Sequence, residues 1–188
     1  MNTKRLQLMV TMLNEVVAGT WKPVKVSFPE YAEITEKEQF DLGTWYNKSS
    51  KADCGFSACA MGHAGLDSRF RKMGLKVVQD KYGFDINYKG VESFDGVCDF
   101  FELGATKELE RDDNDEIAYI LFSPSAYPMY LKNDKLIVQV IRRIEKLIEL
   151  GQDKFFKRFD KGDCSSPSEN AYAYLVSKAG RFYKSTQE

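Results

Sequence analysis

Leu136, Ile137, Val140, Ile141, Ile144, Leu147 and Ile148 recur at helical spacing and cover a broad face of a helix predicted over residues 134–150, with Gly151 as its stop. A face that wide must be covered by other elements, so this chain has to build a helical core around it. Residues 3–18 supply a second amphipathic helix through Leu6, Met9, Val10, Leu13, Val16 and Val17, ended by Gly19. A third helix is predicted from Val91 to Leu103, through Phe94, Val97, Cys98 and Phe101, with Gly104 as its cap. Asp113-x-x-Glu116 opens a short one over Ile117 to Phe122, which Pro124 stops.

Between these lie shorter signals. Pro23 and Pro29 keep Trp21 to Phe28 extended, and the glutamates from Glu30 to Glu38 read as a solvated face. Residues 54–64 are small enough to form a short, buried, closely packing helix, and Arg69, Arg71 and Lys72 mark a short basic helix ended by Gly74. Leu75–Val78 and Phe84–Tyr88 alternate around Asp80-Lys81-Tyr82-Gly83, which predicts a small β-hairpin. Ser166-Pro167-Ser168-Glu169 starts a final helix whose narrow stripe is Tyr172, Leu175, Val176 and Ala179. The expected fold is mainly α: one compact helical domain over residues 1–161 with a small β-hairpin, and an appended C-terminal helix over 166–184.

Charge restricts the partners. Lys+Arg total 27 against 28 Asp+Glu, so no global field recruits nucleic acid or an anionic membrane. The apolar runs fall far short of the roughly 20 residues that span a bilayer, so no membrane partner is expected. The segment after Met1-Asn2-Thr3-Lys4-Arg5 is interrupted by Gln7, Asn14 and Glu15, unlike a signal peptide, and the expectation is a cytoplasmic protein with reduced cysteines.

Phe40-Asp41-Leu42-Gly43-Thr44-Trp45, then Cys54-Gly55-Phe56-Ser57-Ala58-Cys59-Ala60-Met61-Gly62-His63-Ala64, then Phe100-Phe101-Glu102-Leu103 and Leu121-Phe122-Ser123-Pro124 form a recurring pattern. On these marks the chain resembles a group of short proteins of tailed phages and some bacteria. That group usually has Thr where Phe56 stands and Gly where Glu102 stands. The resemblance implies a phage origin and brings no activity with it. It is compatible with a non-enzymatic binding protein that acts on a host factor, or sequesters a small signalling ligand, in the host cytoplasm.

The chemistry concentrates in residues 54–64, which hold Cys54, Cys59 and the only histidine, His63. On one helix Cys59 and His63 would be one turn apart, good geometry for two zinc ligands, but a closed structural site needs four and the resembling group often has Trp at the histidine position. Cys54 behind Asp53 at a helix start would have a stabilised thiolate. His63, nine residues along the same helix, would lie about 13 Å away, too far to serve as its base. Packing is therefore the favoured role, and no metal or cofactor is expected; an enzyme with a pocket around Cys54, Ser57 and His63, and a metal-stabilised module, are the alternatives.

Asp112-Asp113-Asn114-Asp115 lacks the glycine and distal glutamate of a calcium loop, and the common nucleotide and hydrolase fingerprints are absent. Lys154, Lys157 and Arg158 interleave with Phe155, Phe156 and Phe159, a pattern that stacks bases in some proteins but here belongs to one wet helix face without a basic groove. The candidate binding residues are thus Trp45, Cys54, Ser57, His63, Lys154, Lys157 and Arg158, and Tyr127, Tyr130, Tyr172 and Tyr174 are candidates for a homo-oligomer contact.

Overall fold

The computed structural model describes residues 1–26, 38–40, 56–80, 83–103, 117–118, 121–123, 127 and 133–159. They are mostly helical, with a small antiparallel sheet. The expected helix over 166–184 lies outside them.

Helix α1 (Thr3–Val17) starts where the Asn2 side chain accepts the Arg5 N–H at 3.2 Å, and it stops just before Gly19 at φ 66°. It buries Leu6, Met9, Met12 and Leu13. Val17, expected on this stripe, is instead 38% exposed, while Met12 is buried on the face. From there the chain runs without regular secondary structure through residue 26, with Trp21 buried and the Val24 N–H donating to the Leu66 carbonyl at 2.8 Å.

The expected helix over 54–64 is corrected. Phe56–Ala58 is a strand, β2, paired in parallel with β1 (Glu38–Phe40) in the register Glu38↔Phe56 to Phe40↔Ala58. Helix α2 (Ala60–Leu66) begins only after Cys59, whose backbone is extended and whose Sγ accepts the Gly62 N–H at 3.4 Å. Small side chains permit helix and strand alike; a distant partner strand decided between them. All seven residues of α2 are buried, as a helix enclosed on every side requires.

Asp67 ends α2 and caps helix α3 (Ser68–Lys72), its carboxylate accepting the Arg69 N–H at 2.7 Å. Gly74 at φ 96° then turns the chain into the expected hairpin, β3 (Leu75–Asp80) with β4 (Gly83–Tyr88). A third strand, β5 (Val91–Glu92), pairs with β4 where a continuous helix was expected. The two residues between β4 and β5, Lys89 and Gly90, have φ of 53° and 89°, the pattern of a type I′ turn.

Helix α4 (Ser93–Phe101) lies against β4, with Phe100 among Phe70, Tyr88 and Phe101. Its end is not at Gly104, which is outside the described residues. Glu102 takes the left-handed conformation (φ 53°, ψ 40°), and the Glu102 and Leu103 N–H groups donate back to the Asp99 and Cys98 carbonyls at 3.3 and 2.9 Å. This is a Schellman motif with glutamate where glycine is preferred. Glu102 has local partners, the Asn2 amide at 2.9 Å and the Arg5 guanidinium at 3.5 Å, but its side chain is largely exposed. Relief of about 1 kcal/mol of left-handed strain therefore outweighs the loss of exposed pairs worth less. Glu102→Gly is expected to raise the melting temperature by about 1–2 °C and Glu102→Val to lower it, as calorimetry would show.

Helix α5 (Asn133–Phe159) carries the broad apolar face, packed on α1, and breaks at Gly151 (φ 70°, ψ 163°) where the sequence placed its stop. Helix resumes at once, with Phe155 buried. Ile117, Ala118, Leu121 and Phe122 add helical, buried residues to the same core. Tyr127 is buried too, donating to the Leu121 carbonyl at 2.5 Å beneath the Arg143 guanidinium, which corrects its place as a surface contact. Burial pushes its phenol up to about 12, against the opposing pull of Arg143. No helix among the described residues is long and apolar enough to cross a membrane.

Candidate functional site

The histidine expected at the chemical centre is fully buried. Its Nδ1 donates to the Cys59 carbonyl at 2.9 Å and its ring lies 4.9 Å from that of Trp21. The Cys59 thiol is occupied as a helix cap, and among the described residues no three His, Cys, Asp or Glu side chains come together as metal ligands. The strand at 56–58 also removes the single helix on which the spacing between Cys54 and His63 was reckoned. Cys54 and Trp45 lie outside the described residues; Ser57 is placed in β2 by its backbone, opposite Gln39. Lys154 is exposed on α5 beyond the Gly151 break, and Lys157 and Arg158 follow it in the same helical backbone.

Beside His63, Trp21 reaches a charge network that ties three segments together. The indole N–H donates to the Asp67 carboxylate at 3.0 Å, and the Arg69 guanidinium bridges Asp67 at 2.7 Å and Glu15 at 2.5 Å. Burial alone would raise the Asp67 carboxyl, but donors from the Arg69 side chain, the Arg69 backbone and Trp21 outweigh it and hold the group below the ordinary carboxylate range. Hydrogen bonds to Asp67 and Glu15 hold the Arg69 guanidinium protonated beyond its ordinary range. Every polar atom here is aimed at another part of the chain, so the network's role is structural.

Arg71, Gly74, Lys76, Asn87, Lys89 and Gly90 line an open cleft of about 270 Å³. Arg71 comes from the last turn of α3, and one of its N–H groups is anchored on the Gly65 carbonyl at 3.0 Å. Lys76 points away from the core on β3, opposite Asn87 in the β3–β4 register. Lys89 and Gly90 come from the type I′ turn, whose Gly90 N–H donates to the Asn87 side-chain oxygen at 3.2 Å. Glu92 is opposite Asn87 in the β4–β5 register and accepts from its amide at 3.4 Å. Among the described residues none of Arg71, Lys76 and Lys89 is in an ion pair, whereas Arg5 and Arg69 are.

Three cationic residues thus line one cleft of a chain whose formal net charge is −1. Nothing along the chain groups them, because they are spread over 19 positions on three elements. The usable signal was Lys76 on the outward side of an alternating strand two residues after Gly74, and Lys89 beside Gly90; the sheet register supplied the rest.

No protein-family model matches the chain, and no curated protein or solved structure shows significant similarity to it.

Proposed function

We propose that this is a non-enzymatic binding protein whose ligand is a small anion held between Arg71, Lys76 and Lys89. The cleft carries this reading: its three cations have no carboxylate partners among the described residues, and a ligand's negative charge would supply them. Its lining favours capture over chemistry. A guanidinium is not deprotonated in proteins, and the Asn87 amide neither gives nor takes a proton. The anion's hydrogen bonds there are charge-assisted, roughly twice as strong as neutral ones.

Of the two roles that the phage resemblance allows, sequestering a small ligand suits a cleft of this size better than gripping a host protein. The cleft supports the binding reading independently of that origin.

Calorimetric titration of the full chain with small polyanions tests it. Binding is expected at low ionic strength and should weaken steeply as salt rises, since exposed charges are screened over about 10 Å at 0.1 M. Lys76→Gln and Lys89→Gln are each expected to weaken it about tenfold, or about 1.4 kcal/mol. Binding that survives the double replacement unchanged, or no binding of any small anion, would sink the proposal.

A further inference from the structure

Resting on that reading, we infer that the group the cleft takes is the phosphoryl end of a small phosphorylated molecule, in preference to a carboxylate. Charge is the first reason. A carboxylate carries one negative charge, while a phosphate ester carries about 1.5 to 2 near neutral pH, closer to what a cleft lined by three cationic residues needs.

Geometry is the second reason. Arg71, Lys76 and Lys89 come to the cleft from a helix end, a strand and a turn, so an anion there would be held by three separate elements. The Gly65 carbonyl occupies one N–H of Arg71 and fixes its guanidinium, leaving the other donors as a fork for two phosphoryl oxygens.

Size gives the third. At about 270 Å³ the cleft falls below the roughly 300–1,000 Å³ of pockets that enclose a whole ligand, so it holds the charged end and leaves the rest outside. An exit exists at Gly90, where a side chain would meet nothing within 4 Å. No aromatic ring is among the lining residues, and Tyr88 is buried, its ring approached by the Lys89 ammonium at 5.0 Å. The cleft therefore has no platform on which to stack a nucleobase, and the phosphoryl group itself is what it recognises.

The test compares pyrophosphate with tricarballylate, a tricarboxylate of similar charge, by calorimetry on the full chain at low ionic strength. Pyrophosphate is expected to bind at least about tenfold tighter. Arg71→Lys keeps the charge and loses the fork, so it should weaken pyrophosphate about tenfold while changing tricarballylate less than about twofold. Circular dichroism of each variant, with the exposed Lys22→Gln as a control, separates lost binding from lost fold. Equal affinity for the two anions would overturn the phosphoryl assignment and leave the anion-binding reading standing. Binding of neither would overturn both. A short single-stranded oligonucleotide that displaces pyrophosphate at lower concentration than a phosphorylated sugar does would overturn the small-molecule assignment.

Discussion

Replacing Asp67 by alanine is expected to cost about 3 kcal/mol of folding stability, a fall of roughly 6–12 °C in melting temperature for a chain of this size. Asp67 is 2% exposed and joins four functions in one carboxylate. It accepts the buried Trp21 N–H, caps α3 through the Arg69 N–H, forks with the Arg69 guanidinium and, through Arg69, ties α1 at Glu15. Removing it leaves the indole donor without its acceptor, at about 1–3 kcal/mol, and removes a helix cap worth about 1. The loss of the ion pair itself adds less, because Arg69 is a third exposed and keeps Glu15. Asp67→Asn keeps an oxygen acceptor and should cost markedly less.

The same carboxylate sets an acid limit. Its folded-state proton affinity lies below that of the ordinary carboxylate at 3.8, so its contribution is fully present above that pH and is lost as pH falls below it. Urea midpoints measured from pH 7 down to 2.5 should decline in that window, and Asp67→Asn should flatten part of the decline. An alanine variant within half a kcal/mol of the parent would mean that the network is dispensable.

Gly65→Ala is expected to destabilise by a comparable amount, about 3 kcal/mol, although alanine is the better helix former by about 1. A Cβ at residue 65 would stand 2.8 Å from the Val77 backbone nitrogen, 2.8 Å from its Cγ2 and 3.1 Å from the Ile86 Cδ1. The Val77 nitrogen cannot retreat, since its strand is paired with Ile86 opposite. Helix α2 must therefore lift from the sheet. Because the Gly65 carbonyl also anchors Arg71, the shift should weaken anion binding along with stability. Denaturant unfolding and calorimetric titration of one preparation would read both effects. An unchanged midpoint would show that α2 is not seated as closely as its glycine indicates.

Local pattern alone determined much of this fold. The stripe of α1, the β3–β4 hairpin, the glycine stops at 19, 74 and 151 and the broad face of α5 are all visible as periodicity and punctuation, because each follows from backbone geometry over one or two turns. The choice of strand over helix at Phe56–Ala58 was not visible, since small residues suit either and the partner at Glu38–Phe40 is 18 positions away. Nor was β5, whose two residues become a strand only because the Lys89-Gly90 turn folds them back on β4. The left-handed Glu102 was hidden by the identity of its side chain, as glycine would have marked it.

The site divides the same way. The sequence placed its chemistry where cysteines and histidine are close in the chain, and tertiary packing turned Cys59 into a cap and His63 into a buried neighbour of Trp21. Arg71, Lys76 and Lys89 look like separate solvated charges along the chain. They become one cleft only when the helix end, the strand register and the turn bring them together, because an electrostatic site depends on distances in space, which spacing along the chain does not set.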